Sequence, residues 1–267
     1  MITWVNDADA LKTHLPHSAR VWNYLLGGKD NYPADRAAAD KVLEANPRML
    51  AQARGDRAFL GRAVRVMAGE GIRQFLDIGT GLPTAENTHE VAQAIAPESR
   101  ILYVDNDPLV LVHARALLTS SPQGTCDYIQ ADLNDPGHIL DEAGARLDFT
   151  RPIAVMLVGI LHHLEDTRGE DTLAIVERLK AAVPAGSMLA INHPTSAIYG
   201  EIAERSAREW NESGGRPPVI LRSPEEITRY FTGWELLDPG VMSCTHWRPE
   251  APPAEQVDAF AGVARKI

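Results

Sequence analysis

The sequence is short of cysteine, of basic residues and of long apolar runs, and each shortage excludes a class of protein. Cys126 and Cys244 are the two cysteines among 267 residues, and their separation fits neither a zinc-binding spacing nor a disulfide framework. The 26 lysine and arginine residues are outnumbered by 36 aspartate and glutamate residues, which gives a formal net charge of −10. This charge opposes extended contact with phosphate backbones or anionic lipid.

No run of about 18 apolar residues occurs that could span a bilayer, and acidic residues among the first thirty positions oppose a signal peptide. A chain of this length buries enough surface to fold around one core without a metal or a disulfide. We therefore expect a cytoplasmic protein with no metal site, no membrane partner and no nucleic-acid partner. The oligomeric state stays open.

The middle of the chain alternates short apolar runs with longer amphipathic stretches. The apolar runs predict strands buried on both faces, at Gln74–Ile78, Arg100–Asp105, Cys126–Gln130, Ile153–Val158 and Ser187–Asn192. The stretches between them predict helices, at Thr84–Ile95, Pro108–Leu118, Pro136–Ala143 and Thr172–Ala182. Such alternation is typical of a doubly wound, Rossmann-like α/β fold with a mostly parallel sheet.

The two flanks of this core differ from it. Residues 1–70 predict a helical cap or lid, with its clearest helices at Ala34–Glu44 and Gln52–Ala68, and residues 71–267 then form the main domain. Beyond the fifth strand, further helices are predicted at Ser196–Asn211 and after an N-capping Ser223. Closing strands at Trp234–Leu237 and Ala259–Arg265 would add an antiparallel hairpin at one edge and bring the sheet to seven strands.

The most informative segment runs from Phe75 to Thr84, where an apolar strand leads through Gly79 and Gly81 towards a helix. Glycines at such a turn let the backbone approach a ligand closely. Taken alone, the turn is also compatible with a plain strand-to-helix connection. Asp105 at the end of the second strand could accept hydrogen bonds from both hydroxyls of a ribose.

Asp132, at the end of the third strand, adds another carboxylate at the same edge of the predicted sheet. It could bind the edge of an adenine beside Leu133, or it could be a cap or a solvated loop acid. A dinucleotide site would have a third glycine where Thr84 stands, and Asp77 would repel a pyrophosphate. Three acids instead suit S-adenosylmethionine, which carries an ammonium group, a ribose and an adenine.

The central part of the chain, about residues 72–195, resembles the class I S-adenosylmethionine-dependent methyltransferases. Asp77-x-Gly79-x-Gly81 is similar to their first motif, although Pro83 stands where many members have another glycine. The resemblance implies contacts with the cofactor from a set of residues at the strand ends: Asp77, Gly79, Thr80, Gly81, Asp105, Asn106, Asp132, Leu133, Val158 and Gly159.

A narrower resemblance spans nearly the whole chain. The segment from Ser18 to Arg36, together with Gly79–Thr84 and Trp247–Pro249, resembles the actinobacterial S-adenosyl methyltransferases, a family of unknown substrate in which Pro83 is expected. Because this resemblance is densest in the N-terminal segment, we expect a lid there that touches the cofactor or the acceptor, with Arg20 and Asn31 among the contacts.

Methyl transfer from a sulfonium needs positioning and exclusion of water, and a general base assists when the acceptor is a hydroxyl or a protonated amine. The sequence offers His162, His163 and His193, each just past the end of a strand. The paired histidines could instead line the pocket without acting on a proton.

These features predict methylation of oxygen or nitrogen on a small-molecule acceptor. Base methylation in nucleic acid is disfavoured because no Asn-Pro-Pro-Tyr-like tetrapeptide follows the fourth strand. Two alternatives stay open from the residues: a non-catalytic sensor of S-adenosylmethionine or S-adenosylhomocysteine, and a nicotinamide-dependent dehydrogenase. The second is disfavoured by Thr84 and by the lack of a Tyr-x-x-x-Lys proton donor.

Overall fold

A computed structural model of the protein describes residues 12–117, 119–166, 171–252 and 255–267. The helices are α1 (Ser18–Leu25), α2 (Pro33–Ala45), α3 (Met49–Gly69), α4 (Thr88–Ile95), α5 (Pro108–Leu117), α6 (Pro136–Gly144), α7 (Asp171–Ala182), α8 (Glu201–Glu212) and α9 (Pro224–Arg229). The strands are β1 (Gln74–Ile78), β2 (Arg100–Asp105), β3 (Thr125–Gln130), β4 (Ala154–Val158), β5 (Met188–Pro194), β6 (Glu235–Leu236), β7 (Met242–Ser243) and β8 (Ala259–Arg265).

All of these strands join one sheet in the order β3-β2-β1-β4-β5-β8-β6, and β7 also pairs with β8. Strands β1 to β5 are parallel, and β8 runs antiparallel to β5, β6 and β7. The predicted mostly parallel α/β sheet with an antiparallel edge is therefore confirmed. The chain order reverses between β1 and β4, where ligands bind in open sheets of this kind.

The strand count differs from the prediction because the closing part has three strands instead of two. The predicted pairing of the last two strands is present, with Glu235 opposite Arg265. The strand between them is only Met242 and Ser243, opposite Ala261 and Phe260. Two residues are too few to show an alternating pattern, so sequence periodicity could not reveal it.

Two helices begin later than predicted. The helix expected from Thr84 begins at Thr88, because Asn87 and Glu90 form a capping box and the residues before Asn87 form a turn. The helix expected from Ser196 begins at Glu201, because the Asp258 carboxylate accepts hydrogen bonds from the amides of Ile198 and Tyr199 in the preceding loop. The predicted end of another helix, Leu118, lies outside the described residues.

Both faces of the sheet are covered by apolar clusters. One cluster contains Phe59 and Met67 of α3 together with Trp247, and the rings of Phe59 and Trp247 meet edge to face at 5.3 Å between centroids. Helix α3 thus packs on the sheet although it lies within the predicted cap of residues 1–70. That domain division stays a prediction. Among the described helices, none is long and apolar enough to cross a membrane.

Helices α1 and α2 form a separate unit with α8. Val21 and Leu25 pack with Val42 and Trp210 in their own apolar cluster. The two N-terminal helices are joined by Asp35, which is fully buried and accepts hydrogen bonds from the Arg20 side chain at 2.9 and 3.0 Å. This arrangement holds α1 beside the carboxyl ends of the parallel strands.

Candidate functional site

A cavity of about 500 Å³ lies at the carboxyl ends of the parallel strands, between the strand ends and helices α1 and α3. It contains all but two of the residues that the sequence indicated for the cofactor. Its wall includes Asp77, Gly79, Thr80, Gly81, Asp105, Asn106, Asp132, Leu133, Val158 and Gly159. Residues predicted from separate motifs are therefore brought together at one site, which we call the first cavity.

The glycine turn after β1 depends on its two glycines. Gly79 and Gly81 have φ angles of +78° and +62°, a backbone conformation that residues with a side chain rarely adopt. A Cβ atom on Gly79 would lie 2.5 Å from the side chain of Ile160. The Gly79 amide donates to the Val104 carbonyl at 2.8 Å, which holds the turn against the end of β2. The chain can pass this close only without a side chain.

Asp105 is fixed by the turns on both sides of it. One carboxylate oxygen accepts from the Gly81 amide at 2.9 Å, and the other accepts from the Asp107 amide at 3.0 Å. Burial raises the pKa of Asp105 to about 6, although these backbone hydrogen bonds oppose the shift. A carboxylate oxygen has two lone pairs, so each oxygen can accept a further hydrogen bond from a ligand.

Asp132 lies across the cavity at the end of β3. Its carboxylate accepts from the backbone and side chain of Asn134, both at 2.8 Å, and from the Asn106 side chain at 3.0 Å. It is therefore part of a local turn, as the alternative interpretation expected, and it also lines the cavity. Leu133 beside it is buried and supplies an apolar surface.

Arg57 on α3 is a lining residue that the sequence motifs did not indicate. Its guanidinium donates from Nε and Nη2 to the Ala85 carbonyl and from Nη2 to the Asn87 side chain. It lies near Asp77, whose pKa is raised to about 6 by burial and is held down by the Thr88 hydroxyl and by the charge of Arg57. Opposite charges thus face the cavity beside the glycine turn.

Arg20 and Asn31 lie outside the described lining of the first cavity. Arg20 is buried and bound to Asp35. The Asn31 side chain donates to the Asn23 side chain at 3.1 Å and to the Gly28 carbonyl at 3.0 Å. Both residues shape the N-terminal segment, while Ser18, Ala19 and Trp22 of that segment face the cavity.

The three predicted histidines form a buried cluster but differ in what they face. The rings of His162 and His163 are 3.9 Å apart between centroids, and those of His162 and His193 are 5.8 Å apart. The side chain of His193 contacts Arg222 through Nε2 at 2.8 Å and the Pro194 carbonyl through Nδ1, also at 2.8 Å. Both of its ring nitrogens are therefore engaged by the protein.

His163 faces the first cavity. Its Nδ1 lies 2.9 Å from the Pro218 carbonyl, which can only accept, so Nδ1 carries the proton and Nε2 presents a lone pair. Burial lowers the pKa of His163 to about 4, so the ring is neutral near pH 7. This is the protonation state that a hydrogen-bond acceptor requires.

A second cavity, of about 90 Å³, adjoins the first. Its wall is largely apolar and comes from α1, α2, α3, α8, the end of β5 and the loop before α9. Five residues line both cavities: Ser18, Trp22, Asp56, Gly159 and His163. These shared residues define the junction between the two cavities.

Asp56 at the junction is the second residue that sequence motifs missed. It accepts a hydrogen bond from the Cys244 thiol at 3.2 Å. Burial raises its pKa to about 7, and hydrogen bonds from Asn192 and Cys244 offset only part of that shift. A carboxyl group with a raised pKa in a cleft is typical of a functional site.

Comparison with known proteins gives a family. The profile of the S-adenosyl methyltransferase family matches residues 5–267. No curated protein matches the sequence.

Two solved structures are similar over nearly the whole chain. A DUF574-family protein of Streptomyces avermitilis MA-4680 is 42% identical, with 96% of this chain and 100% of that chain covered and a TM-score of 0.91. A protein of Thermobifida fusca YX, provisionally named a methyltransferase, is 40% identical. The match covers 98% of this chain and 99% of that chain, with a TM-score of 0.88.

A distant structure shares the fold alone. The N-methyltransferase NodS of Bradyrhizobium japonicum WM9 in complex with S-adenosylhomocysteine is 13% identical, with 86% of this chain and 97% of that chain covered and a TM-score of 0.50. The sequence left three activities open: a methyltransferase, a non-catalytic sensor and a dehydrogenase. The family match supports the methyltransferase. The chain belongs to the S-adenosyl methyltransferase family and is a class I S-adenosylmethionine-dependent methyltransferase.

Proposed function

We propose that the first cavity binds S-adenosylmethionine and that a small-molecule acceptor is methylated on oxygen or nitrogen from the second cavity. The observation that carries this proposal is the arrangement of Asp77, Asp105 and Asp132 around one cavity of about 500 Å³. The acids lie at the carboxyl ends of the three neighbouring strands β1, β2 and β3, and they fit the ammonium, ribose and adenine of the cofactor in that order. When bound, the cofactor supplies an electrophilic methyl group on a sulfonium.

The nucleoside end is assigned to the β2 and β3 side of the cavity. Asp105 would accept hydrogen bonds from the ribose hydroxyls, with its carboxylate already oriented by the amides of Gly81 and Asp107. Asp132, Asn106 and Leu133 would hold the adenine edge and face. Orientation by the backbone before binding reduces the entropy lost when the ligand is ordered.

The amino-acid end is assigned to Asp77 and Arg57. An α-amino acid carries one positive and one negative charge, and this pair of side chains presents the complementary charges beside the glycine turn. Arg57 donates to Ala85 and Asn87 through Nε and Nη2, which leaves Nη1 for the carboxylate. The fixed guanidinium suits a carboxylate because its donors are held in one plane.

The charge on Arg57 has a measurable role in this assignment. We expect Arg57→Gln to bind S-adenosylhomocysteine about 10-fold more weakly by titration calorimetry, because one charge-assisted hydrogen bond contributes about 1.5–3 kcal/mol. Arg54→Gln, on an exposed turn of the same helix, removes an equal charge away from the cavity and serves as the control. Equal dissociation constants for the two variants would remove Arg57 from the cofactor site.

His163 is proposed to accept a hydrogen bond from the reacting group of the acceptor. Its Nδ1 contact with Pro218 orients the ring, and Nε2 keeps its lone pair at neutral pH. The residues around it exclude water, since His163 is 9% exposed. Together these features position an acceptor at the junction of the cavities.

His163→Ala tests this role. We expect turnover to fall about 10- to 100-fold, within the range of acid–base and positioning contributions, while the dissociation constant of S-adenosylhomocysteine changes less than about 3-fold. His138→Ala removes an exposed histidine of α6 and serves as the control. Unchanged turnover in His163→Ala would assign the ring to the cavity wall alone.

The test of the proposed function is calorimetric titration with S-adenosylmethionine, S-adenosylhomocysteine and NADH in parallel. We expect micromolar binding of the two sulfur nucleosides and none of NADH. The absence of a binding signal for both sulfur nucleosides would overturn the site assignment. We further propose that the protein acts in the cytoplasm, a setting in which Cys126 and Cys244 stay free, as they are in the structure.

A further inference from the structure

The second cavity has an apolar wall and a polar end. Its wall contains the side chains of Val21, Leu25, Val42, Met49, Trp210, Val219 and Leu221. Its polar end lies at the junction with the first cavity, where Asp56, Asn192, His162 and His163 line it, and the lining also includes the polar residues Asn46, Gln52, Thr195, Ser206 and Asp258. A ligand seated there would place a hydrocarbon body on the wall and its polar group at the junction.

Among the described residues, two buried atoms at the polar end have no hydrogen-bond partner, and Asp56 and His163 can accept further hydrogen bonds there. Asn192 is 1% exposed, and its Oδ1 has no partner. Asp56 is a carboxylate when ionised, and His163 presents Nε2 as a lone pair because Nδ1 faces a carbonyl. The Nδ1 atom of buried His162 is also unpartnered. Buried polar atoms are almost always paired in proteins, so the unpartnered Asn192 Oδ1 points to a ligand that donates a hydrogen bond here.

The charges at the polar end of the cavity also favour a ligand that donates hydrogen bonds, and in particular a cation. Asp56 interacts with the Asn192 amide and the Cys244 thiol, and neither is a cation at pH 7. The other titratable residues that line this cavity are His162 and His163, whose pKa values are lowered by burial, and the carboxyl group of Asp258. The nearby Arg62 donates instead to the carbonyls of Cys244 and Trp247, at 2.6 and 2.9 Å. A buried carboxylate without a compensating cation is costly. A cationic ligand would remove that cost.

We propose that the second cavity binds a small apolar amine, and that Asp56 holds its ammonium form and takes one proton from it before methylation. This inference rests on the proposed function and narrows its acceptor class to amines. An ammonium group offers up to three N–H donors and a positive charge to Asp56, Asn192 and His163. A hydroxyl offers one donor and no charge, and it would leave at least one of these acceptors unpaired.

The proton balance is simple. In the ammonium form, nitrogen has no lone pair and cannot attack a methyl group. Transfer of one proton breaks an N–H bond and forms an O–H bond on Asp56, leaving a neutral amine and a neutral carboxyl group. The pKa of Asp56, raised to about 7, suits a group that gains and loses a proton near neutrality.

The cavity limits the size of the amine. A volume of about 90 Å³ accommodates a small group and excludes a polymer. Met49 and Trp210 lie in its wall, and they favour an aliphatic or aromatic body over a sugar. The substrate class is therefore a primary or secondary amine on a compact hydrocarbon.

The test is calorimetry on the full chain saturated with S-adenosylhomocysteine, titrated at pH 8 with isobutylamine, benzylamine and phenethylamine, and with the alcohol isostere of each. We expect at least one amine to bind 10-fold or more tightly than its alcohol. In Asp56→Asn this preference should disappear, while the affinity for S-adenosylhomocysteine changes less than about 3-fold. Asp141→Asn, on the exposed surface of α6, should keep the preference.

Asp56→Ser removes the carboxylate without adding volume and must show the same loss, which separates the charge effect from a folding defect. Equal binding of amines and alcohols, retention of the preference in either Asp56 variant, or binding of none of the amines would overturn the inference. If S-adenosylhomocysteine binds in those cases, the proposed function stands. Failure of S-adenosylhomocysteine itself to bind would overturn both.

Discussion

Asp105→Ala is expected to bind S-adenosylhomocysteine about 100-fold more weakly than the unsubstituted protein at pH 8. At this pH the carboxyl group is ionised, because its pKa is about 6. The substitution removes the acceptor assigned to both ribose hydroxyls, and hydrogen bonds to a charged group contribute about 1.5–3 kcal/mol each. Two such bonds account for a loss of this size.

The substitution also removes the partner of the Gly81 and Asp107 amides. Thermal unfolding of the free protein therefore accompanies the titration, to show that the variant is folded. Asp127→Ala is the matched control, since Asp127 is an exposed acid on the neighbouring strand β3. A folded Asp105→Ala protein with an unchanged dissociation constant would show that the nucleoside binds elsewhere.

Asp56→Asn is expected to raise the thermal stability of the ligand-free protein at pH 8 and to leave it nearly unchanged at pH 4. Folding raises the pKa of Asp56 from 3.8 to about 7, so the folded protein holds a proton that the unfolded chain has already released. The resulting penalty is absent below pH 3.8, grows as the pH rises towards 7, and is constant above that. Asparagine carries no charge and avoids the penalty at every pH.

The size of this effect follows from the shift. A shift of about three pKa units corresponds to about 4 kcal/mol as an upper bound, which is about 10 °C in melting temperature for a chain of this length.

The pKa values of His163 and His193 are lowered by burial, so these residues destabilise the fold as the pH falls below 6.5. They are present in both proteins and cancel in the comparison.

The measurement is differential scanning fluorimetry of both proteins from pH 4 to pH 8.5, with Asp141→Asn as the control. A melting-temperature difference that does not change with pH would contradict the raised pKa of Asp56. The same series with saturating benzylamine extends the test, because an ammonium ligand beside Asp56 should stabilise the unsubstituted protein more than the variant.

The strand ends of the first cavity could be predicted because short segments carry the information. Asp77 and Asp105 lie at the carboxyl ends of β1 and β2, and Asp132 lies two residues beyond β3. Parallel strands bring these carboxyl ends to one edge of the sheet. The sequence also contains the signal for the start of α4, because Asn87 and Glu90 form a capping box. The predicted start at Thr84 is wrong by four residues, because the Asn87 side chain forms hydrogen bonds with the backbone of Thr84 and holds the residues between them in a turn.

Asp56 and Arg57 could not be predicted because their positions depend on packing between distant segments. Both lie on α3, whose helical character was predicted, but the sequence does not say which turn of the helix faces the strand ends. The turn at Gly55 packs closely against another segment, since a Cβ atom there would lie 2.8 Å from the side chain of Thr245, 190 residues further along the chain. No local motif records such a contact.

The histidines show the same limit. His162, His163 and His193 were equivalent in sequence, each just past the end of a strand. Arg222, from the loop before α9, engages His193, and the Pro218 carbonyl orients His163. These partners lie 29 and 55 residues away in the chain, so only the folded structure separates the three rings.

The most direct test of the two-cavity account is a crystal structure of the protein with S-adenosylhomocysteine. We expect the ribose at Asp105, the adenine at Asp132 and the amino-acid end at Asp77 and Arg57. The sulfur atom should then face the junction, where Asp56 and His163 line both cavities. A complex with the sulfur directed away from the second cavity, or with the ligand outside the first cavity, would contradict the account.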